Sequence, residues 1–157
     1  MRDIINQFYT AVKTGDGAAL NELIHDDFTL ACPTRDHVLS GLYQGKGRFF
    51  DDVLPHVFGC VDGGEISFCD DHRVLCVDGD IGLALAHNRG CAKGDEPYDQ
   101  VYLHVFRVVD SRIIALIEGF DTALANRALW GAVDSLPADL PFSLAALDNL
   151  GFTTHAT

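Results

Sequence analysis

Two hydrophobic rhythms divide the chain. Over residues 2 to 13, Ile4, Ile5, Phe8, Ala11 and Val12 recur at helical spacing, and Gly15 ends the run. Asp16 stands where an N-cap belongs, and Ala19, Leu20, Leu23 and Ile24 form the apolar face of a second helix. Asp26-Asp27-Phe28-Thr29-Leu30-Ala31-Cys32 predicts an acidic turn into a short strand that Pro33 stops. Gly41 to Arg48 is glycine-rich, lacks the Lys-Ser/Thr ending of a phosphate loop, and is expected to be a turn. From Gly47 to Phe58, the spacing of Phe49, Phe50, Val53, Leu54, Val57 and Phe58 predicts a third helix, kinked at Pro55.

The period then shortens to that of strands. Ile66 to Val77, Ile81 to Ala92, Tyr98 to Val109 and Arg112 to Phe120 are β-rich segments. They are parted by Asp78-Gly79-Asp80, Gly94-Asp95-Glu96-Pro97 and Asp110-Ser111, and such short connections make neighbours antiparallel. Helices first and strands second predict an α+β fold, with three N-terminal helices packed on one face of a curved, mainly antiparallel sheet. From Ala123 to Thr157 the composition changes. Leu124, Leu129, Trp130 and Val133 precede Pro137 and Pro141, and Leu144, Leu147 and Leu150 follow, which predicts two short packed helices around a bend.

Length and charge narrow the function. The 157 residues fit one domain, with a core over 1–122 and a C-terminal extension over 123–157. A net charge of −12 argues against nucleic acid and against anionic membranes, both of which select basic surfaces. No apolar run approaches the roughly 20 residues of a bilayer span. The N-terminus lacks the basic start and apolar centre of a leader, so a cytoplasmic location is expected. Five cysteines, odd in number and without a CxxC pair, argue against a disulfide framework and a zinc site; no metal or cofactor is expected.

Several stretches look alike to the nuclear transport factor 2-like superfamily, in its ketosteroid-isomerase and SnoaL-like polyketide cyclase branches. They are Phe8 to Asp16, Asp26-Asp27-Phe28 with Pro33, Gly41-Leu42-Tyr43-Gln44-Gly45, Val105 to Ile113, and Glu118-Gly119-Phe120-Asp121-Thr122. Their order covers about residues 4 to 122. The resemblance implies a cone-like fold around a pocket, and a homodimer. It also implies departures. Where ketosteroid isomerases place a tyrosine on the first helix, the best-matching position is Phe8. Cys32 stands where their general-base Asp belongs and His104 where their second oxyanion donor, also an Asp, belongs, so the chain lacks the ketosteroid-isomerase set. SnoaL-like cyclases use an Asp on the last strand with a His on its neighbour, and Asp121 with His104 resembles that pair.

Hairpin arithmetic examines the same residues independently. With Asp110-Ser111 as a two-residue turn, Val109 faces Arg112, His104 faces Ile117, Tyr102 faces Gly119 and Gln100 faces Asp121. One face then carries Phe106, Val108, Ile113 and Ile117, followed by His104, Tyr102, Gln100 and Asp121. Apolar walls with a few polar groups describe a ligand pocket. A one-residue bulge would replace Asp121 by Glu118 on that face. Asp121 also stands where it can cap the helix that follows. Phe50 and Tyr43 suit the mouth of a cone, and Cys32 suits the pocket wall. His87, Asn88 and Arg89 are polar on a strand, and alternation points one or two of them inward. The reverse face holds Val101, Leu103, Val105, Ile114, Leu116 and Phe120, an apolar surface that asks for a second copy.

Three functions suit these residues. One is an acid–base isomerase, cyclase or dehydratase acting on a small, mostly apolar carbonyl compound, with Asp121 and His104 as the pair. The second is a non-catalytic ligand-binding or assembly module. The third is a hydrolase using water activated by Asp121.

Overall fold

In a computed structural model of the chain, the N-terminal rhythm yields two helices, α1 (Arg2–Thr14) and α2 (Gly17–Leu23). The structure describes residues 1–35, 37–61, 66–92, 96–131 and 133–152. One face of α1 buries Ile5, Phe8, Tyr9 and Ala11, and Gly15 ends the helix in left-handed backbone. The Asp16 carboxylate caps α2 by accepting the Ala19 N–H at 2.9 Å.

Strand β1 (Ile24–Cys32) begins directly at the end of α2. The expected turn at Gly41 is instead a strand, β2 (Gly41–Gln44), paired antiparallel with β1. Its Leu42 and Tyr43 are buried, while flanking glycines hide a four-residue strand from any periodicity test. The third helix, α3, runs as Lys46–Arg48, widens to a π-turn over Phe49–Val53 and resumes as Leu54–Phe58. Pro55 accounts for this, because it offers no N–H to the carbonyl one turn back and its ring crowds that carbonyl.

Four long strands follow: β3 (Ile66–Asp78), β4 (Ile81–Gly90), β5 (Val101–Val109) and β6 (Arg112–Gly119). The six strands form one sheet in the order β2-β1-β6-β5-β4-β3. Every neighbouring pair is antiparallel except β1 with β6. The fold is α+β, with helices over one face of a mainly antiparallel sheet. Helix α1 lies close on that face: a Cβ on Gly82 of β4 would meet Ile5 Cδ1, so a larger residue there would require the Ile5 side chain to shift. Of the expected β4–β5 connection, Gly94 and Asp95 lie outside the described residues.

The β5–β6 hairpin decides the site. Asp110 and Ser111 both have positive φ, 49° and 63°, which makes the two-residue turn that the sequence predicts. Val109 opposes Arg112 and Val108 opposes Ile113, but Arg107 opposes Ala115, leaving Ile114 as an extra residue. Every later pair is displaced by one. His104 opposes Glu118, Phe106 opposes Leu116 and Val105 opposes Ile117. Glu118 and Leu116 thus take the face expected for Ile117, and Ile117 moves to the outer face.

After β6, α4 spans Thr122–Ala125 and continues as a π-turn over Asn126–Trp130. Trp130 is buried against His37 and Phe120. The chain then follows the β2 edge, where the Leu42 N–H donates to the Leu140 carbonyl at 2.8 Å. Helix α5 (Leu144–Asn149) leaves Leu144 exposed, contrary to the expected packing of its leucines, while Leu147 and Leu150 are half-buried. Beyond it, the Leu150 carbonyl accepts from Arg107 Nη1 on β5 at 3.1 Å. Among the described residues, no helix is long and apolar enough to cross a membrane.

Candidate functional site

Alternation along β5 sends Tyr102, His104 and Phe106 to the concave face, all of them buried. The Ile114 bulge brings Leu116 and Glu118 to the same face from β6. Opposite Tyr102 and His104, β4 supplies Ala86 and Ala84, whose small side chains leave room above the sheet. Helices close the space from the other side. Phe8, Ala11 and Val12 come from α1, and Phe49, Phe50, Val53, Leu54 and Val57 from α3. The result is a cavity of about 210 Å3, apolar on most of its wall. Its polar groups include Asn88, Tyr102, His104 and Glu118, with the Cys69 thiol nearby.

Three of the groups on this side of the sheet form a chain. The Tyr9 hydroxyl lies 2.8 Å from His104 Nδ1, and His104 Nε2 lies 3.1 Å from Glu118 Oε2. His104 is 3% exposed, whereas Glu118 keeps 20% of its side chain open. The proton arrangement follows from the partners. An ionised Glu118 only accepts, so Nε2 carries a proton towards it; in a neutral imidazole, Nδ1 then accepts from the Tyr9 hydroxyl. Burial first, and the charges of Cys69 and Glu118 next, push the Tyr9 phenol far above its ordinary range, so it stays a neutral donor.

Beside this chain, the Tyr98 and Tyr102 hydroxyls share a hydrogen bond of 2.7 Å. Burial pushes Tyr98 up to about 12 and Tyr102 well above the usual phenol range. One bond between two neutral phenols consumes one of their protons and leaves the other to donate elsewhere. Burial also pushes the Cys69 thiol up to about 12 and Cys32 well upward, with the Glu118 charge as the lesser cause for both. Neither is a thiolate near neutral pH.

The residues singled out from sequence separate into two groups. His104, Tyr102, Phe8 and Phe50 line the cavity. Phe106 lies against its wall, edge to face with Phe8, Tyr9 and His104. Gln100 is buried, but its amide clasps the Asp121 backbone, donating to the carbonyl at 2.8 Å and accepting the N–H at 3.2 Å. Ile117 faces outward because of the bulge. Cys32 is buried apart from the cavity lining. The Tyr43 hydroxyl donates to the Leu136 carbonyl at 2.9 Å and accepts the Ser40 N–H at 3.0 Å, fastening the C-terminal segment.

Asp121 requires correction. Its side chain is exposed and caps α4, accepting the Ala123 and Leu124 N–H groups at 2.9 and 3.1 Å. The carboxylate that meets His104 is Glu118. Tyr9 is a second correction. The apolar spacing of α1 selects Phe8, yet Tyr9 sits one turn beyond the buried Ile5 and reaches His104. Among the described residues, no three His, Cys, Asp or Glu side chains are grouped to hold a metal ion.

No protein-family model and no curated protein matches the chain. Solved structures do. Bal32a, from a soil-derived mobile gene cassette, is 22% identical with a TM-score of 0.70, the match covering 82% of this chain and 95% of that one. A nuclear transport factor 2-like protein from Burkholderia pseudomallei is 18% identical with a TM-score of 0.69, over 82% and 95% of the two chains. TerC, co-crystallised with polyporic acid, is 16% identical with a TM-score of 0.68, over 80% and 94%. The chain shares the fold of these solved structures, which include nuclear transport factor 2-like and cystatin-like proteins, and a fold does not by itself assign an activity.

Proposed function

We propose that this protein is a cofactor-independent acid–base enzyme of SnoaL-like type, an isomerase, cyclase or dehydratase acting on a mostly apolar carbonyl compound. The observation that carries the reading is the Tyr9–His104–Glu118 chain opening into an otherwise apolar cavity. Glu118, partly open to that cavity, takes a proton from the carbon beside the substrate carbonyl. His104 holds the carboxylate in place by donating from Nε2, Tyr9 fixes the imidazole from the other side, and the abstracted proton stays on Glu118, which can return it. The resulting enolate is reprotonated at another carbon, attacks a second carbonyl, or expels a leaving group. That TerC was co-crystallised with polyporic acid supports a ligand of this general kind for the fold. The hydrolytic alternative loses its basis, because Asp121 is committed to capping α4.

The reading is tested by incubating the protein with 2-tetralone, a bicyclic ketone with an acidic C–H bond, in D2O. Proton NMR follows exchange at the carbon beside the carbonyl. Exchange faster than in buffer of the same pH supports proton abstraction in the cavity. Saturable binding of 2-tetralone with no acceleration would favour the ligand-binding module instead.

We also infer a homodimer through the outer sheet face. Val101 and Leu103 are 52% and 46% exposed there, and Val105 and Ile117 lie beside them. Leu116, expected on this face, belongs to the cavity wall.

A further inference from the structure

Asn88 presents a polar group that the acid–base chain does not use. It lies on the concave side of β4, is fully buried and lines the cavity. Its Oδ1 accepts the Cys69 backbone N–H at 2.7 Å. That bond fixes which way the amide points, since an N–H must face the oxygen. It also has a structural cause. The β3–β4 pairing is irregular between Ser67 and Asp71, and Cys69 has a φ of 52°, a left-handed conformation uncommon for a side-chain-bearing residue. The bulge turns the Cys69 amide towards Asn88 and holds the side chain still.

With Oδ1 occupied, Nδ2 is left over. Among the described residues it has no hydrogen-bond partner, although it is buried. Buried amide donors are nearly always paired, and each exception needs a reason. The Asn88 side chain lies at the cavity surface, next to Cys69, whose neutral thiol is a weak acceptor. An oriented, unpaired donor in an apolar cavity is what a site needs to choose ligands that carry an acceptor oxygen.

We propose that Asn88 Nδ2 is the specificity-determining anchor of the cavity, donating a hydrogen bond to a carbonyl oxygen of an otherwise apolar ligand. The proposal rests on the reading of the cavity as a ligand site, not on Glu118 performing catalysis. A ligand lacking the oxygen leaves Nδ2 unpaired and binds less tightly.

The test uses two compounds of nearly the same shape, 2-acetylnaphthalene and 2-isopropenylnaphthalene, which differ in C=O against C=CH2. Their affinities are measured by titration calorimetry for the unaltered protein and for Asn88→Asp. That variant keeps an acceptor for the Cys69 N–H and, titrated at a pH where its carboxyl is ionised, offers no donor. The ketone should bind the unaltered protein about tenfold more tightly than the hydrocarbon. Asn88→Asp should abolish this preference, so that the ketone binds no more tightly than the hydrocarbon. Should the variant not fold, the Asn88 side-chain amide signals of the unaltered protein decide by NMR. The ketone should displace one amide proton downfield, and the hydrocarbon should not. Equal affinities with equal amide displacements would overturn the anchor while leaving the cavity as a ligand site. No binding of either compound would overturn the cavity reading and the anchor together.

Discussion

His104 Nε2 and Glu118 Oε2 stand 3.1 Å apart on neighbouring strands, the imidazole almost wholly enclosed and the carboxylate partly open to the cavity. One residue creates this relationship. Ile114 is the surplus residue of a bulge, and in an unbulged hairpin of this sequence His104 would oppose Ile117. An apolar cavity gains an oriented carboxylate because the hairpin loses register by a single step.

Asp121 then has a role in stability. Its carboxylate satisfies two N–H groups at the start of α4. Asp121→Ala should cost about 1 kcal/mol in urea unfolding, and Asp121→Asn less, because an asparagine side chain still caps. Neither should alter binding of 2-tetralone. A change in that affinity with stability unaffected would place Asp121 back at the site.

The alkaline limb of stability should be steep. Tyr98 and Cys69 are raised to about 12 by burial, and Tyr9, Tyr102 and Cys32 are raised as well. A raised acid keeps its proton in the folded state at a pH where the unfolded chain has released it. The stability from these groups is complete below about pH 9 and is lost as pH rises through their folded values. Urea midpoints between pH 8 and 11 measure this. In the same range Cys76, exposed, should react first with iodoacetamide, and Cys32 and Cys69 only on unfolding.

His37 should sense acid. It is buried between Phe120 and Trp130, and burial lowers it below the ordinary histidine range despite opposing contributions from the Thr122 and Leu39 backbone. Its stability contribution is present above the unfolded value, about 6.5, and is lost as pH falls through the lower folded value. Trp130, the only tryptophan, reports on the same contact. Its emission should be blue-shifted at pH 7 and move to the red below about pH 6. The acid shift should shrink in His37→Gln. A water-exposed emission maximum at pH 7 would contradict the packing of this segment.

Much of the fold was legible in the sequence because its periods are long. Thirteen residues of α1 and the four strands from Ile66 onward repeat often enough to reveal their type. β2 was not legible, since Leu42 and Tyr43 lie between glycines and fill too little chain for a period to emerge. At the site, His104, Tyr102, Phe8 and Phe50 follow from alternation and helical spacing. Choosing between Glu118 and Asp121 does not, because Ile113-Ile114-Ala115 is uniformly apolar and carries no mark of which residue is surplus. Tyr9 was hidden differently: its ring packs as a core residue does, and only its hydroxyl has a further partner. The Asn88 amide depends on the Cys69 backbone conformation, which no local residue type announces.

The outer face should hold two copies together. Leu103→Lys would bury a charge without a partner and should shift a dimer towards monomer at micromolar concentration. Sedimentation velocity separates the species. A monomer for the unaltered protein at every concentration tested would remove the interface from the account.

Deuterium exchange into 2-tetralone, compared across three proteins at one pH, bears most directly on the central claim. The unaltered protein should accelerate exchange, Glu118→Gln should lose at least about a hundredfold of that acceleration, and Asp121→Asn should retain it. The His104 pairing partner would then be the base. If Glu118→Gln, shown folded by its circular dichroism, exchanges the ketone as fast as the unaltered protein, the Tyr9–His104–Glu118 chain is not the proton-transfer machinery.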